Sequence, residues 1–294
     1  MDEHAGGTFL LGLGAQKAGT TWLSDHLRRT PGYTPGFMKE YHVLDVLDVD
    51  DERQRRAPML ERAAADLAAM AAGEEPAAGA GTRLQRASML ADPRRYHDYF
   101  ADLLRRPGTR ATGDLTPSYS LLGAERLATV RDAMAARGAR TVAVLLMRDP
   151  VERVWSAARM HMYANQDSPE VAEPAVLERF ASPSYDARTR YEHTLAALEQ
   201  VFDADMSFVA FYEELFDPAR TSEVLGRLCA TAELPLVDPD TDRRSNATPR
   251  DRTTLSEEVT ATVARHYAAT YAAVAERYGA DRVAALWPSA RHVL

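Results

Sequence analysis

The chain contains one cysteine, Cys229, in 294 residues. That excludes an intramolecular disulfide and any multi-cysteine metal centre, and it points to a reducing compartment with the thiol buried as a small apolar group. A basic excess is also missing: 35 Lys and Arg stand against 43 Asp and Glu, for a formal charge of −8. Nucleic-acid binding is therefore not expected, since it draws on surplus cations that displace counterions, and any basic site must be local. Long apolar runs are lacking. Phe9 to Leu13 and Thr141 to Met147 have strand length, so no membrane span is expected. The acidic start, Met1 to Gly7, does not have the flanks of a secretory leader, which makes the cytoplasm the expected location. No internal repeat or low-complexity tail is present. What remains is ordinary for a globular protein, 46% hydrophobic and 27% charged, and the expectation is a single domain over 1–294.

The chain is organised around Phe9-Leu10-Leu11-Gly12-Leu13-Gly14-Ala15-Gln16-Lys17-Ala18-Gly19-Thr20-Thr21-Trp22-Leu23. An apolar run of strand type enters a glycine-bounded turn, and helix-forming residues follow, which is the order of a phosphate-cradling loop. Gly14, Gly19 and Thr21 keep the frame of a Walker A loop, but Thr20 stands where a nucleotide triphosphatase places its lysine. The loop's lysine is Lys17, inside the turn, a position that suits two anionic groups in line rather than three. A plain Gly-Thr turn between a core strand and a helix is the competing reading.

Gln16-Lys17-Ala18-Gly19-Thr20-Thr21-Trp22-Leu23 resembles the 5′-phosphosulfate loop of sulfotransferases that use 3′-phosphoadenosine 5′-phosphosulfate (PAPS). A second match follows a buried-type strand: Arg148-Asp149-Pro150-Val151-Glu152-Arg153-Val154-Trp155-Ser156 resembles the element that grips the 3′-phosphate of PAPS. A guanidinium offers a fixed fork to phosphate and a serine adds a donor. The resemblance implies a P-loop-type α/β fold, with a central parallel sheet flanked by helices on both faces. It assigns the donor to Gln16, Lys17, Ala18, Gly19, Thr20, Thr21, Trp22, Arg148 and Ser156, with Arg250 from a late basic loop. Arg153 and Arg159 read as surface charges on the same helix.

A third segment, Lys39-Glu40-Tyr41-His42-Val43-Leu44-Asp45, alternates so that an extended backbone would put Glu40 and His42 on one side. It is similar to the Glu-x-His stretch of the heparan sulfate type sulfotransferases, which implies Glu40 as general base, His42 as its partner and Lys17 as the group facing the developing charge. Gly113-Asp114-Leu115-Thr116-Pro117-Ser118-Tyr119 resembles another family segment, but Leu115 replaces a lysine that some relatives use there. The implied reaction is in-line sulfuryl transfer from PAPS to an acceptor hydroxyl, leaving adenosine 3′,5′-bisphosphate. The acidic charge favours a small-molecule acceptor, a specialised metabolite or carbohydrate, over a long sulfated polysaccharide. With no carboxylate set dedicated to a metal, none is expected to be required. The Ala- and Arg-rich composition suits a GC-rich bacterial genome and secondary metabolism. Two alternatives stay open: a P-loop kinase or nucleotide hydrolase, and a nucleotide-binding module without catalysis.

The stretch 46–95 departs from the rest. A charged start leads to a helical region from Pro58 to Ala72 and a loop over Gly73 to Gly81, placed to form a lid or acceptor wall, or else an exposed elaboration. Arg83 and Arg86 there are candidates to meet an anionic acceptor. Further helices are expected over Pro93 to Arg105, Leu121 to Arg137, Pro174 to Ala181, Asp186 to Phe202, Pro218 to Glu233 and, as one long element, Thr254 to Tyr278, with a strand at Met206 to Phe211.

Overall fold

The structure is a computed structural model, which describes residues 6–165, 172–239 and 254–294. Among these residues one sheet forms from β1 (Thr8–Gly12), β2 (Ala111–Asp114), β3 (Arg140–Met147) and β4 (Ser207–Phe211), in the order β2-β1-β3-β4. All three pairings are parallel; Phe9 faces Thr112 on one side and Thr141 on the other. Every residue of β1 and all but the first of β3 are buried, which is why these segments read as unbroken apolar runs instead of alternating ones.

Helix α1 (Thr20–Leu27) follows β1. Before β2 come α2 (Leu44–Asp48), α3 (Asp50–Arg53), α4 (Arg56–Ala71), α5 (Ala80–Ala91) and α6 (Arg94–Leu104). Helix α7 (Ala124–Ala135) connects β2 to β3, and α8 (Pro150–Asn165), α9 (Ala172–Arg179), α10 (Pro183–Ala187) and α11 (Tyr191–Val201) precede β4. The chain closes with α12 (Tyr212–Leu215), α13 (Thr221–Thr231), α14 (Glu257–His266), α15 (Ala268–Tyr278) and α16 (Ala280–Leu286). Helices α6, α7 and α13 pack on β2, β3 and β4 respectively, giving the expected α/β architecture. Cys229 is buried on α13. No described helix is long and apolar enough to cross a membrane.

Strand order decides where a ligand can sit. From β1 the chain runs to β2 on one side, then returns to β3 on the other, so the crevice beyond the carboxyl ends of β1 and β3 is the topological switch point. The Lys17 loop and Arg148 both leave the sheet there.

Four local expectations differ from what forms. The terminal helix is two, α14 and α15, because Tyr267 leaves helical geometry (ψ 19°) with its ring buried and its hydroxyl donating to the Phe180 carbonyl. The stretch expected as one helix from Asp186 is likewise α10 and α11, separated by residues 188–190. The Gly73 to Gly81 loop is shorter, since α5 begins at Ala80 after Gly79 at φ 77°. Finally, residues 38–43 form no strand.

Candidate active site

The ladder between β1 and β3 continues past the strand: Leu13 N–H donates to Val144 O (2.8 Å), Leu146 N–H to Gly14 O (2.8 Å) and Ala15 N–H to Leu146 O (2.7 Å). The turn that follows depends on two glycines. Gly14 has φ 86° and a Cβ there would meet the Pro117 carbonyl oxygen at 2.6 Å; Gly19 has φ 89° and a Cβ would meet the Phe216 ring at 2.8 Å. Among the described residues, the N–H groups of Lys17, Gly19 and Thr20 have no backbone acceptor, so the turn presents donors at the start of α1.

Lys17 itself sits at φ 71°, and His42 at φ 50°; with Glu233 they are the described non-glycine residues of positive φ. Two of these three belong to the predicted site, and such conformations persist where surrounding contacts impose them. No acid pairs with Lys17 among the described residues. Burial, then the charges of Arg148, Arg159, Arg153 and Lys39, lower its pKa.

Arg148 arrives from the end of β3, and its Nη1 donates to the Lys17 carbonyl at 3.2 Å. Its Nη2 meets Glu152 Oε2 at 3.0 Å and its guanidinium lies 4.5 Å from the Tyr212 ring centroid. The corner behind it is built from groups far apart in sequence. Tyr191 Oη donates to Arg148 O (2.8 Å), and Asp149 N–H donates to Glu213 Oε1 (3.1 Å). The buried Asp149 carboxylate accepts from Val151 N–H (2.9 Å), capping α8, and from Tyr271 Oη (2.8 Å) and Ser289 Oγ (2.7 Å). Ser156 lies on α8 and is 7% exposed. Arg250 lies outside the described residues.

The surface reading of Arg153 is overturned. It is fully buried and, among the described residues, none of its three guanidinium nitrogens has a hydrogen-bond partner, while its guanidinium lies 5.3 Å over the Tyr185 ring centroid. Arg159 also departs from a plain surface charge, with a buried, unpartnered Nε, and Arg148 Nε is likewise unpartnered. Buried donors without acceptors are costly, and this group of them beside Lys17 is chemically suited to a polyanion. Trp22 is 3% exposed, stacked on His26 at 5.6 Å and in an edge-type contact with Phe216 at 5.2 Å.

Glu40 and His42 are brought together without an extended backbone. Tyr41 between them is buried against Phe37 and Phe100, at 4.8 and 5.0 Å, and its N–H donates to Thr116 Oγ1 (2.9 Å). With Tyr41 anchored and His42 in the left-handed region, His42 Nε2 lies 3.6 Å from Glu40 Oε2. His42 Nδ1 meets Asp45 Oδ2 at 2.7 Å, and Ser118 Oγ donates to the same buried carboxylate. Below them Asp114 collects Thr116 Oγ1 (2.6 Å), Tyr119 Oη (2.7 Å) and Tyr96 Oη (2.9 Å). Burial pushes its carboxyl up to about 6, against those hydrogen bonds. Leu115 is buried.

Lys39, which sequence reasoning passed over, joins the two halves. Its Nζ donates to Thr21 Oγ1 at 2.8 Å and to Glu40 Oε1 at 2.6 Å. The available signal was its place beside Glu40. Burial would raise the Glu40 carboxyl, but the His42 imidazole 3.6 Å away and the Lys39 ammonium bonded to it hold it down to about 2. Burial would lower His42, yet its hydrogen bond to Asp45 and the Glu40 carboxylate nearby push it up to about 9, so at neutral pH it is an imidazolium.

His42, Asp45 and Glu52 also have ligand atoms within 4.8 Å of one another. Glu52 is already bound by Arg55 and Arg188, and those guanidiniums oppose a cation there. In the 46–95 stretch, Arg83 is taken by Asp66 (Nε 2.6 Å, Nη2 2.7 Å), tying α5 to α4, so it is not free for an acceptor. Arg86 has its pKa lowered by burial and by Arg55 and Arg62.

No protein-family model matches the sequence, and no curated protein is recognisably similar to it. Solved structures are. A sulfotransferase from Alicyclobacillus acidocaldarius superposes with a TM-score of 0.56 at 19% identity, covering 91% of this chain and 94% of its own. The sulfotransferase domain of the Synechococcus PCC 7002 olefin synthase gives 0.50 at 17% identity, covering 89% and 94%. The chain has the fold of these sulfotransferases.

Proposed function

We propose that this protein is a PAPS-dependent sulfotransferase acting on a hydroxyl of a small-molecule acceptor, with Glu40 as general base. The observation that carries the reading is the contact of Arg148 Nη1 with the Lys17 carbonyl, 3.2 Å, at the switch point of the sheet. The two elements read as anion grips, far apart in sequence, are thereby neighbours in space, which supports a donor with phosphates at both ends of one nucleoside. The unpartnered nitrogens of Arg148, Arg153 and Arg159 and the unpaired Lys17 fit that polyanion. The sulfotransferase fold of the neighbours supports the same reading.

When bound, the donor supplies an activated sulfuryl group whose sulfur bonds the acceptor oxygen as the bridge to the 5′-phosphate breaks. Glu40 takes the hydroxyl proton, and His42, held by Asp45, orients the carboxylate. Lys17, the loop N–H groups and Thr20 or Thr21 face the bridging oxygen, where the electron pair and its negative charge remain on the departing bisphosphate. Arg148 and Ser156 hold the 3′-phosphate, joined by Arg250, and Trp22 borders the nucleoside. Helices α4 and α5 form the acceptor wall or lid, on a single domain. Nothing in this scheme calls for a metal.

The test is transfer of labelled sulfuryl from PAPS to a panel of small hydroxyl acceptors, with Glu40→Gln alongside. Transfer abolished in that variant supports the assignment. Magnesium-dependent ATP turnover with no sulfuryl transfer would move the protein to the kinase or hydrolase reading, and bisphosphate binding with no chemistry to the sensor one.

A further inference from the structure

The base is poorly prepared for its task in the geometry just described. A carboxylate held to about 2 accepts a proton weakly at neutral pH. Its two restraints differ in what can release them. His42 is pinned from its other nitrogen by buried Asp45, which Ser118 also grips, so it stays. Lys39 has a flexible stem, its side chain is 21% exposed, and its second contact is Thr21 Oγ1, a donor-loop residue. Its charge is also felt by Lys17, so it stands within range of whatever anion fills the loop. With buried Leu115 supplying no cation, Lys39 is the positive charge that bridges loop and base.

Resting on the sulfuryl-transfer reading, we propose that Lys39 is a positioning residue that couples filling of the donor loop to release of Glu40. In the unfilled loop its ammonium bridges Thr21 and Glu40 and keeps the carboxylate ion-paired. An anion in the loop draws the ammonium toward itself, leaving Glu40 oriented by His42 and free to take the acceptor's proton. The base is thus armed only behind a bound donor, which keeps it idle otherwise.

The experiment follows the Glu40 carboxyl directly by ¹³C NMR of glutamate-labelled protein, its signal identified by its loss in Glu40→Gln. Native protein and Lys39→Met are titrated alone and with adenosine 3′,5′-bisphosphate plus inorganic sulfate, with occupancy checked by calorimetry. In native protein, filling the loop should raise the Glu40 midpoint by about 1–3 pH units, the range set by loss of a close opposite charge. In Lys39→Met it should start above the native midpoint, still lowered by His42, and not respond to filling. An unmoved midpoint in fully occupied native protein overturns the proposal, as does a Lys39→Met titration identical to native; if Lys39→Met fails to fold, Lys39→Gln and the native titration decide. A shift that depends on Lys39, with no transfer from PAPS to any acceptor, would leave the coupling standing and remove the sulfotransferase reading. Failure to bind the bisphosphate would remove both.

Discussion

The Lys17 loop and the Glu40 segment touch through Lys39, yet they are held by different means. The loop extends a parallel ladder, Leu13 to Val144 and Ala15 to Leu146, and its shape follows from glycines at fixed spacing. The Glu40 segment has no strand or helix of its own. Tyr41 is sunk among Phe37, Phe100 and Tyr99; the Thr116 and Tyr119 hydroxyls accept from the backbone N–H groups of Tyr41 and Val43, and Ser118 Oγ donates to Asp45. A loop built on a ladder tolerates loss of one side chain; a segment built on a buried polar network does not. Damage to the first should therefore show in ligand contacts, and damage to the second in base geometry and stability.

The largest expected effect separates chemistry from binding. Glu40→Gln should lower single-turnover transfer by about 10²–10⁴-fold while calorimetry finds bisphosphate affinity unchanged. Equal loss of both would show that the two halves are not separable. Lys17→Ala should slow transfer by about 10²–10³-fold, the usual cost of one donor to a developing oxyanion; full activity would take Lys17 out of the reaction.

On the donor side, Arg148→Ala should weaken adenosine 3′,5′-bisphosphate by about tenfold to hundredfold, since a charge-assisted bond is worth roughly 1.5–3 kcal/mol. Equal affinity would place the 3′-phosphate elsewhere. On the other side, Asp114→Asn leaves one of three buried hydroxyls poorly matched, at a cost of about 1–3 kcal/mol. A lower melting temperature and slower turnover with intact bisphosphate binding is the expected pattern. Loss of bisphosphate binding instead would mean that the network supports the loop as well.

The smallest effect is a slope of stability against pH. His42 is raised from its ordinary 6.5 to about 9, so its contribution is complete below 6.5 and is lost as pH rises through about 9. Melting temperature should fall across that window in the native protein and flatten in His42→Gln. A slope that persists in the variant would assign it to other groups.

Much of this was legible in the residues alone. The loop frame, the apolar run ending at Arg148, and the nearness of Glu40 and His42 all stand, because each rests on local spacing or a strand buried on both faces. The route to that last contact was misjudged: alternation implied an extended segment, whereas a left-handed His42 beside a buried Tyr41 produces it. Arg153 was misread because helical position does not tell which face meets a neighbouring helix or the tyrosines at 185, 191 and 267. Lys39 was missed because its second partner, Thr21, is on another element.

Composition and motif order by themselves pointed to an α/β protein with a glycine-bounded turn after its first strand and an Arg-Asp-Pro turn after a later one, and one cysteine excludes an intramolecular disulfide. Whether those turns face one crevice was decided only by strand order, since β1 and β3 are neighbours in space and not in sequence. The charge state of the site was decided there too. A carboxylate's readiness to take a proton depends on what lies within a few ångströms, and for Glu40 that includes a lysine whose other contact is Thr21, at the start of α1.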